Sequence, residues 1–246
     1  MANFDRNTGL WGAGVARGAE ARVTDQGLRA YMLGIYNHMA LGLGISGLVA
    51  LGIFMMGRTS PVVQTLYGSP LKWVIMLAPL AFVFFISFRF EKMSYPALLG
   101  TFWAFAATMG LSLGSIFFIY KIGSIFQVFF ITAAAFGAMS LYGYTTKRAL
   151  SGMGSFLVMG LFGLMIASLV NLFMQSSALQ FAISAIGVLV FAGLTAWDTQ
   201  RLKEEYEHVA SDGTMMAKSS VMGALTLYLN FINMFQMLLS LFGNRE

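Results

Sequence analysis

Seven long blocks of apolar residues constrain this chain more than any other feature of its sequence. They span residues 31–57, 72–89, 96–120, 124–144, 152–175, 178–198 and 219–243. A helix of about 20 residues crosses the roughly 30 Å of hydrocarbon in a lipid bilayer and satisfies its own backbone groups there. The blocks therefore predict an all-α polytopic membrane protein with seven transmembrane helices. The short joints between them leave no room for a second domain.

The basic residues divide unequally between the two sides of this predicted bundle. Of the 15 Lys and Arg residues, only four fall on one side: Arg58, Lys72, Lys121 and Arg245. Cytoplasmic loops carry the excess of Lys and Arg, so the bias places the amino terminus in the cytoplasm and the carboxyl terminus outside. Residues 1–30 then form a polar cytoplasmic tail, and residues 31–246 form the transmembrane domain. Because topology explains the net charge of +5, we expect no nucleic-acid partner.

Polar residues share one face of the seventh block. The face holds Thr226, Asn230, Asn233 and Ser240, with Gln236 beside it. Residues at these spacings lie on one side of a helix, and a face with so much hydrogen-bonding capacity avoids lipid. The pattern predicts that the seventh helix is central and that the other six surround it.

Small residues recur at every fourth position in the first and third blocks. The two stripes are Gly34, His38, Gly42, Ser46 and Ala50, and Gly100, Ala104, Thr108 and Ser112. Small side chains let helix backbones approach closely in lipid. Both stripes therefore predict faces that contact other helices.

The sixth block ends on an acid, Asp198, rather than on a basic anchor. A charge close to hydrocarbon is costly and usually has a function. By the predicted topology, Arg89, Asn230 and His38 approach Asp198 in the cytoplasmic half of the bundle. This grouping predicts an inner gate or ion pathway, with Asn233 on the same polar face as Asn230.

Each of these residues also has a purely structural interpretation. Asp198 could lie at the water boundary and bond to nearby backbone, and Arg89 could anchor its helix at the interface. His38 could be a hydrogen-bonded packing residue, and Asn230 could simply join two helices. Desolvation and ion pairing act on the Asp198 proton in opposite senses, so the sequence leaves open whether Asp198 titrates near neutral pH.

The sequence lacks the catalytic motifs of several enzyme classes. The chain has no Cys, which excludes thiol catalysis, disulfides and Cys-ligated metal. The last block has no Lys that could hold a retinal, and His38 is the only His within a block, without a Gly-x-Ser-x-Gly elbow. Glu204, Glu207 and His208 lack the second His of zinc proteases. We expect no enzymatic activity, no cofactor and no high-affinity metal site.

Two segments of the last two blocks resemble the signature of the Bax inhibitor family of the prokaryotic type. They are Asp198-Thr-Gln and Leu227-Tyr-Leu-Asn-Phe-Ile-Asn-Met-Phe235. The resemblance implies a bundle whose seventh helix is wrapped by the other six, in the inner (plasma) membrane, and in some members a pH-sensitive calcium leak. In those members an acid on each of the last two helices shares a proton and helps to gate the pore. A basic residue that accompanies the pair would correspond to Arg89.

This chain departs from that pattern at Asn230. Asp198 matches the first acid, but an amide stands in place of the second. Two nearby carboxylates titrate as a coupled unit, which an Asp and an Asn cannot do, so a pH gate is expected to be shifted or absent. Calcium takes about 6 to 8 oxygen ligands, so a calcium ion could contact Asp198 only weakly.

The sequence thus predicts a membrane leak channel for a cation, with calcium favoured and modulation by pH left open. The alternative is a non-transporting membrane regulator that binds a partner complex, such as a membrane-anchored protease, through residues 1–30 and the polar link 199–218. A third alternative is a proton-coupled carrier with Asp198 as its proton site. Against the carrier, the blocks show no paired Gly or Pro interruptions of the kind that mark carrier sites.

Overall fold

The computed structural model describes the backbone of residues 8–245 and the side chains of residues 25–245. Within that range the chain is helical, apart from loops and one isolated bridge between Tyr120 and Arg245. The α-helices are α1 (Thr8–Met56), α2 (Pro61–Gly68), α3 (Leu71–Arg89), α4 (Tyr95–Leu113), α5 (Ile122–Thr145), α6 (Ser151–Met174), α7 (Ser177–Val209) and α8 (Gly213–Phe242). All except α2 are long and apolar enough to cross a membrane. The predicted all-α polytopic fold with seven transmembrane helices is confirmed.

The first helix begins earlier than the hydropathy pattern predicts. A separate tail over residues 1–30 is expected, but α1 runs without a break from Thr8, and its apolar span is Asp25–Met56. Residues 8–24, ahead of the span, include four Ala, which favour helix, and no Pro, although four Gly are interspersed. Residues 1–7 of the predicted tail lie outside the described residues.

A short helix that hydropathy does not reveal, α2, lies between the first two spans. Pro61 opens it, at a position where a missing backbone N–H costs nothing. The Tyr67 hydroxyl donates a hydrogen bond to the carbonyl oxygen of Leu111 in α4, at 2.5 Å. Burial raises the pKa of Tyr67, so this hydroxyl keeps its proton. The contact fastens α2 across the end of the bundle.

The last helix, α8, occupies the centre of the bundle, as the polar face predicts. In an apolar stretch of 18 residues taken from each helix, 56% of the residues of α8 are buried, whereas only 11% of those of α6 are. Its main neighbours are α1, α4, α5 and α7, whereas α3 packs chiefly on α4, and α6 on α7. The helix is therefore central, but the six other spans do not form one ring around it. The five residues of the polar face are all buried or half-buried.

Small residues mark the closest helix contacts, though not always on the predicted face. In α1, Gly42, Ser46 and Ala50 are buried, which confirms that part of the first stripe. In α4, Gly100 and Ala104 are exposed, and the contact with α1 is made by residues two positions further along. There, a Cβ on Gly110 would lie 2.6 Å from the carbonyl oxygen of Ser46.

The closest approach of α5 to α7 occurs at Gly143. A Cβ at this position would overlap the backbone carbonyl of Ala196, two residues before Asp198. Only Gly allows the two backbones to come so near. Gly143 thus helps to set the position of the helix that carries Asp198.

Replacing Gly143 by Ala should destabilise the protein, because the new methyl group has backbone rather than a flexible side chain in its way. Overpacking costs about 1–3 kcal/mol, enough to lower the Tm by several degrees. The matched control is Gly137→Ala in the same helix, where nothing lies within 4 Å of the new Cβ. Thermal unfolding of both variants in one detergent measures the difference. Equal Tm values would contradict the close α5–α7 contact.

Candidate functional site

Asp198 lies on the face of α7 that packs against α8, and only 4% of its surface is exposed. Its Oδ2 accepts a hydrogen bond of 2.7 Å from the Nδ2 of Asn230 on α8. Side chains of a helix lean toward its N-terminus, so the carboxylate points from its backbone position back into the bundle. The acid and the amide of the two sequence segments therefore meet inside the protein.

The second carboxylate oxygen of Asp198 forms an ion pair with Arg201. Arg201 Nη2 lies 2.8 Å from Asp198 Oδ1, and the Arg201 side chain is 47% exposed. Its guanidinium also lies over the ring of Trp197, 5.1 Å from the centroid. Because Arg201 stands three residues beyond Asp198 on α7, it covers the carboxylate from the end of the bundle where α7 ends and α8 begins. We call this the linker end and the opposite end, where α8 stops at Phe242, the far end.

A second group of polar side chains joins α1, α7 and α8 closer to the linker end. The Ser219 hydroxyl donates to a carboxylate oxygen of Glu205, and the Tyr31 hydroxyl lies 2.9 Å from Ser219 Oγ. Glu205 is half-buried and lies seven residues beyond Asp198, hence on the same side of α7. Asp198, Arg201 and Glu205 thus form an alternating acid, base, acid series along one stripe of α7.

The linker half of the bundle also holds a chain of hydroxyl groups beside the site. Ser140 Oγ on α5 hydrogen bonds with the Tyr36 hydroxyl of α1 and lies 3.1 Å from Thr199 Oγ1. Thr199 directly follows Asp198. These bonds connect α1, α5 and α7 at the level of the carboxylate.

Another buried polar contact is made by Tyr228, which lies in the same segment as Asn230. Its hydroxyl lies 2.6 Å from Ser46 Oγ, and the Ser46 hydroxyl also lies 2.6 Å from the carbonyl oxygen of Ala106. The ring packs edge-on against Phe105, with centroids 5.2 Å apart. Tyr228 therefore fixes α8 against α1 and α4, on a different side from Asn230.

The other residues proposed for the site lie apart from Asp198. Arg89 is exposed at the end of α3, an outer helix that packs on α2 and α4, so its predicted pairing with Asp198 is replaced by that of Arg201. His38 is half-buried and bonds through Nε2 to the Tyr95 hydroxyl of α4, at 3.2 Å. The amide of Asn233 donates to the carbonyl oxygen of Leu229 in its own helix. The structure thus brings together Asp198 and Asn230, leaves Arg89 exposed, and holds His38 and Asn233 in separate contacts.

Arg201 is the functional candidate that the sequence interpretation missed. Its signal was present: a base three residues after an acid on a helix can reach back to it. Spans commonly end on basic residues, so the sequence pattern favours Arg89, at the end of a different span, as the partner. The choice between the two depends on which helices are neighbours.

Residues 28–246 match the family described as inhibitor of apoptosis-promoting Bax1, a range that includes both Asp198 and Asn230. The chain belongs to the Bax inhibitor family. The membership agrees with the resemblance of the two carboxyl-terminal segments.

Proteins of several bacteria resemble this chain over most of its length. An uncharacterised protein of Rickettsia prowazekii (strain Madrid E) is 46% identical over 222 residues, which cover 90% of this chain and 92% of the relative. The inner membrane protein YbhL of Escherichia coli (strain K12) is 45% identical over 222 residues, covering 89% and 94%. An uncharacterised membrane protein of Streptococcus pyogenes serotype M3 (strain MGAS315) is 34% identical over 223 residues, covering 91% and 96%.

Replacing Asn230 by Leu should destabilise this protein more than the same change at Asn233. The first variant leaves a buried carboxylate oxygen without its donor, which costs about 1–3 kcal/mol. The second removes only a bond to the carbonyl of its own helix, and that carbonyl keeps its helical partner. Thermal unfolding in one detergent compares the pair. A Tm for Asn230→Leu as high as that of Asn233→Leu would contradict a stabilising Asp198–Asn230 bond.

Proposed function

We propose that this protein is a membrane leak channel for cations, that calcium is the favoured ion, and that the described conformation is closed. The observation that carries the proposal is the buried Asp198 carboxylate, held between Asn230 of α8 and Arg201 of α7. An ionisable group among membrane helices is costly and commonly marks a functional site, such as an ion pathway or a proton relay. We take the protein to have no enzymatic activity.

Arg201 acts as the barrier at the linker end. Its guanidinium carries a positive charge at every physiological pH and occupies the carboxylate that an entering cation would approach. A cation can reach Asp198 only after Arg201 has moved. Arg201 is half-exposed and has Glu205 one turn further along α7, so an alternative acidic partner lies close by.

A polar cavity supports an exit at the far end. It has a volume of about 390 Å³ and includes Asn171, Gln180 and Ser240 in its lining. Ser240 belongs to the same face of α8 as Asn230, and Gln180 Nε2 lies 3.4 Å from Ser240 Oγ. Between the two polar regions, Met237 packs onto Gly187, and Phe191 and Leu194 are buried. These packed apolar side chains lie beside the polar Asn233 and Gln236 of α8, and we take them to close the pathway in the described conformation.

The ion would be bound weakly along this pathway. A tight calcium site uses about 6 to 8 oxygens with several carboxylates, whereas Asp198 has one amide beside it, and Glu205, two turns further along α7, bonds to Ser219. Weak binding suits conduction, because an ion must leave a site as readily as it enters. With Asn230 in place of a second acid, we propose that pH affects the leak only modestly.

The orientation in the membrane follows from the distribution of basic residues. The linker end carries Arg201, Lys203 and Lys218, with Lys147 and Arg148 in the neighbouring loop between α5 and α6. Cytoplasmic loops carry this excess, so we place the linker end and the amino terminus in the cytoplasm and the carboxyl terminus outside. By its likeness to the inner membrane protein of Escherichia coli, we place the protein in the inner membrane.

Calcium flux into proteoliposomes that contain the purified protein tests the proposal. Arg201→Gln should raise the flux up to roughly fivefold, because a half-exposed ion pair contributes about 1 kcal/mol or less to the closed state. Its matched control, Arg148→Gln, removes an exposed base from the same end and should leave the flux unchanged. Asp198→Asn should lower the flux, and the control Asp212→Asn should not.

The same assay can contradict the proposal. If wild-type vesicles leak no more than empty vesicles at any pH, and Arg201→Gln does not change this, the channel function fails. A further variant, Asn230→Asp, places a second carboxylate beside Asp198 and should make the flux depend steeply on pH, because the two acids then share a proton.

A second function is favoured by the length of two helices. Helix α1 begins at Thr8, well before its span at Asp25–Met56, and α7 continues to Val209 beyond the apolar stretch that ends near Asp198. Both extensions lead to the linker end, where they could bind a partner complex such as a membrane-anchored protease. Chemical crosslinking and co-purification from native membranes test this function. Loss of partners on deleting residues 1–21, with no flux in any variant, would favour it over the channel.

A further inference from the structure

A cavity of about 560 Å³ lies between α1 and α5 in the linker half of the bundle. Both helices pack against α8, but α1 and α5 are not among the helix pairs that share an extensive contact. The Tyr36 hydroxyl of α1 and Ser140 Oγ of α5 hydrogen bond across the gap. Leu33 and Leu141 of its lining are 52% and 63% exposed, so the cavity opens sideways toward the membrane, and it plays no part in the proposed ion pathway.

The lining of this cavity changes from charged to apolar along its length. Asp25 and Arg29 lie one turn apart on α1, at the beginning of its apolar span. Met32 and Leu33 follow on α1, opposite Phe136 and Leu141 of α5. Tyr144 lies beside the charged section, where α5 ends. A ligand that fits this lining has a charged head at the membrane surface and an apolar body inside.

The charges of Asp25 and Arg29 indicate which kind of lipid head group the cavity would bind. An acid and a base side by side complement a head that carries both signs, and a head with only a negative charge would be repelled by Asp25. Arg binds phosphate through paired, charge-assisted hydrogen bonds, and a primary ammonium can donate hydrogen bonds to a carboxylate. A trimethylated ammonium has no N–H to donate. The complementary head therefore combines a phosphate with a primary amine.

We propose that the cavity between α1 and α5 is a binding site for a phospholipid of the phosphatidylethanolamine class. Arg29 binds the phosphate, Asp25 binds the ammonium group, and the acyl chains lie against Met32, Leu33, Phe136 and Leu141. Ser140, at the wall of the site, also bonds to Thr199, the residue after Asp198. A bound lipid thus contacts a helix-joining bond directly beside the buried acid.

The experiment measures lipid retention. Purified protein in a mild detergent is incubated with an equimolar mixture of phosphatidylethanolamine, phosphatidylglycerol and phosphatidylcholine, and native mass spectrometry counts the bound lipids of each class. The wild type should retain phosphatidylethanolamine about tenfold more than either of the others, as expected when one charge-assisted hydrogen bond distinguishes them. Equal retention of all three classes would overturn the proposal.

Two glycines provide a matched pair of variants. Gly137 of α5 lines the cavity, and a Cβ there meets nothing within 4 Å, so Gly137→Leu should place its side chain in the site. Gly163 of α6 is equally open, but it lies on the exposed face of an outer helix. Gly137→Leu should lose the retained lipid and Gly163→Leu should keep it. The same retention by both variants would place the lipid elsewhere and overturn the proposal.

Single substitutions of the two charged residues that would bind the lipid head group test the site without filling the cavity. Arg29→Gln should lower phosphatidylethanolamine retention on the order of tenfold. Asp25→Asn should reduce the preference over phosphatidylglycerol, because the negative charge that repels an anionic head is gone. Unchanged selectivity in both variants would show that Asp25 and Arg29 do not bind the head.

Discussion

The hydrogen bond between Asn230 and Asp198 is the interaction on which the arrangement of this protein depends. It joins the two helices with the most extensive contact in the bundle, α7 and α8, and it supplies one of the two partners that make a buried carboxylate tolerable. Two further side-chain contacts join the same two antiparallel helices on either side of it. Glu205 meets Ser219 toward the linker end, and Gln180 meets Ser240 toward the far end. A shift of either helix by one turn would break all three contacts.

The remaining helices follow from that pair. Helix α8 is central because its polar face must be covered and its other faces carry large apolar residues such as Phe231 and Met234, which are almost fully buried. Helix α5 approaches α7 through Gly143, and α1 approaches α4 through Gly110. The outer helices α3 and α6 bury little of their surface and leave most of it to lipid.

Much of the fold could be predicted from the sequence, because hydrocarbon imposes one length and one kind of secondary structure on a spanning segment. The seven spans and the central place of α8 follow from apolar blocks and from one polar face. What could not be predicted depends on how helices are rotated and which are neighbours. The stripe through Gly100 and Ala104 has the right spacing for a contact but faces outward. The helix α2 is too short for a hydropathy window to detect.

The candidate site could likewise be predicted only in part. The pairing of Asp198 with Asn230 follows from the two segments that resemble the family, whereas the partner on the other oxygen required the structure. Arg89 and Arg201 both lie toward the linker end of the bundle. Because α3 packs against α4 rather than α7, Arg89 is kept away from Asp198. The result is a site with one acid, one amide and one base, in which the base blocks the route to the acid.

A double-mutant cycle measures the central interaction most directly. The free energy of unfolding in mixed detergent micelles is compared for the wild type, Asp198→Ala, Asn230→Ala and the double variant. If the carboxylate and the amide bind each other inside the bundle, the two changes should couple by about 1–3 kcal/mol. Effects that add within about 0.5 kcal/mol would show that the two residues act independently, and they would contradict this account.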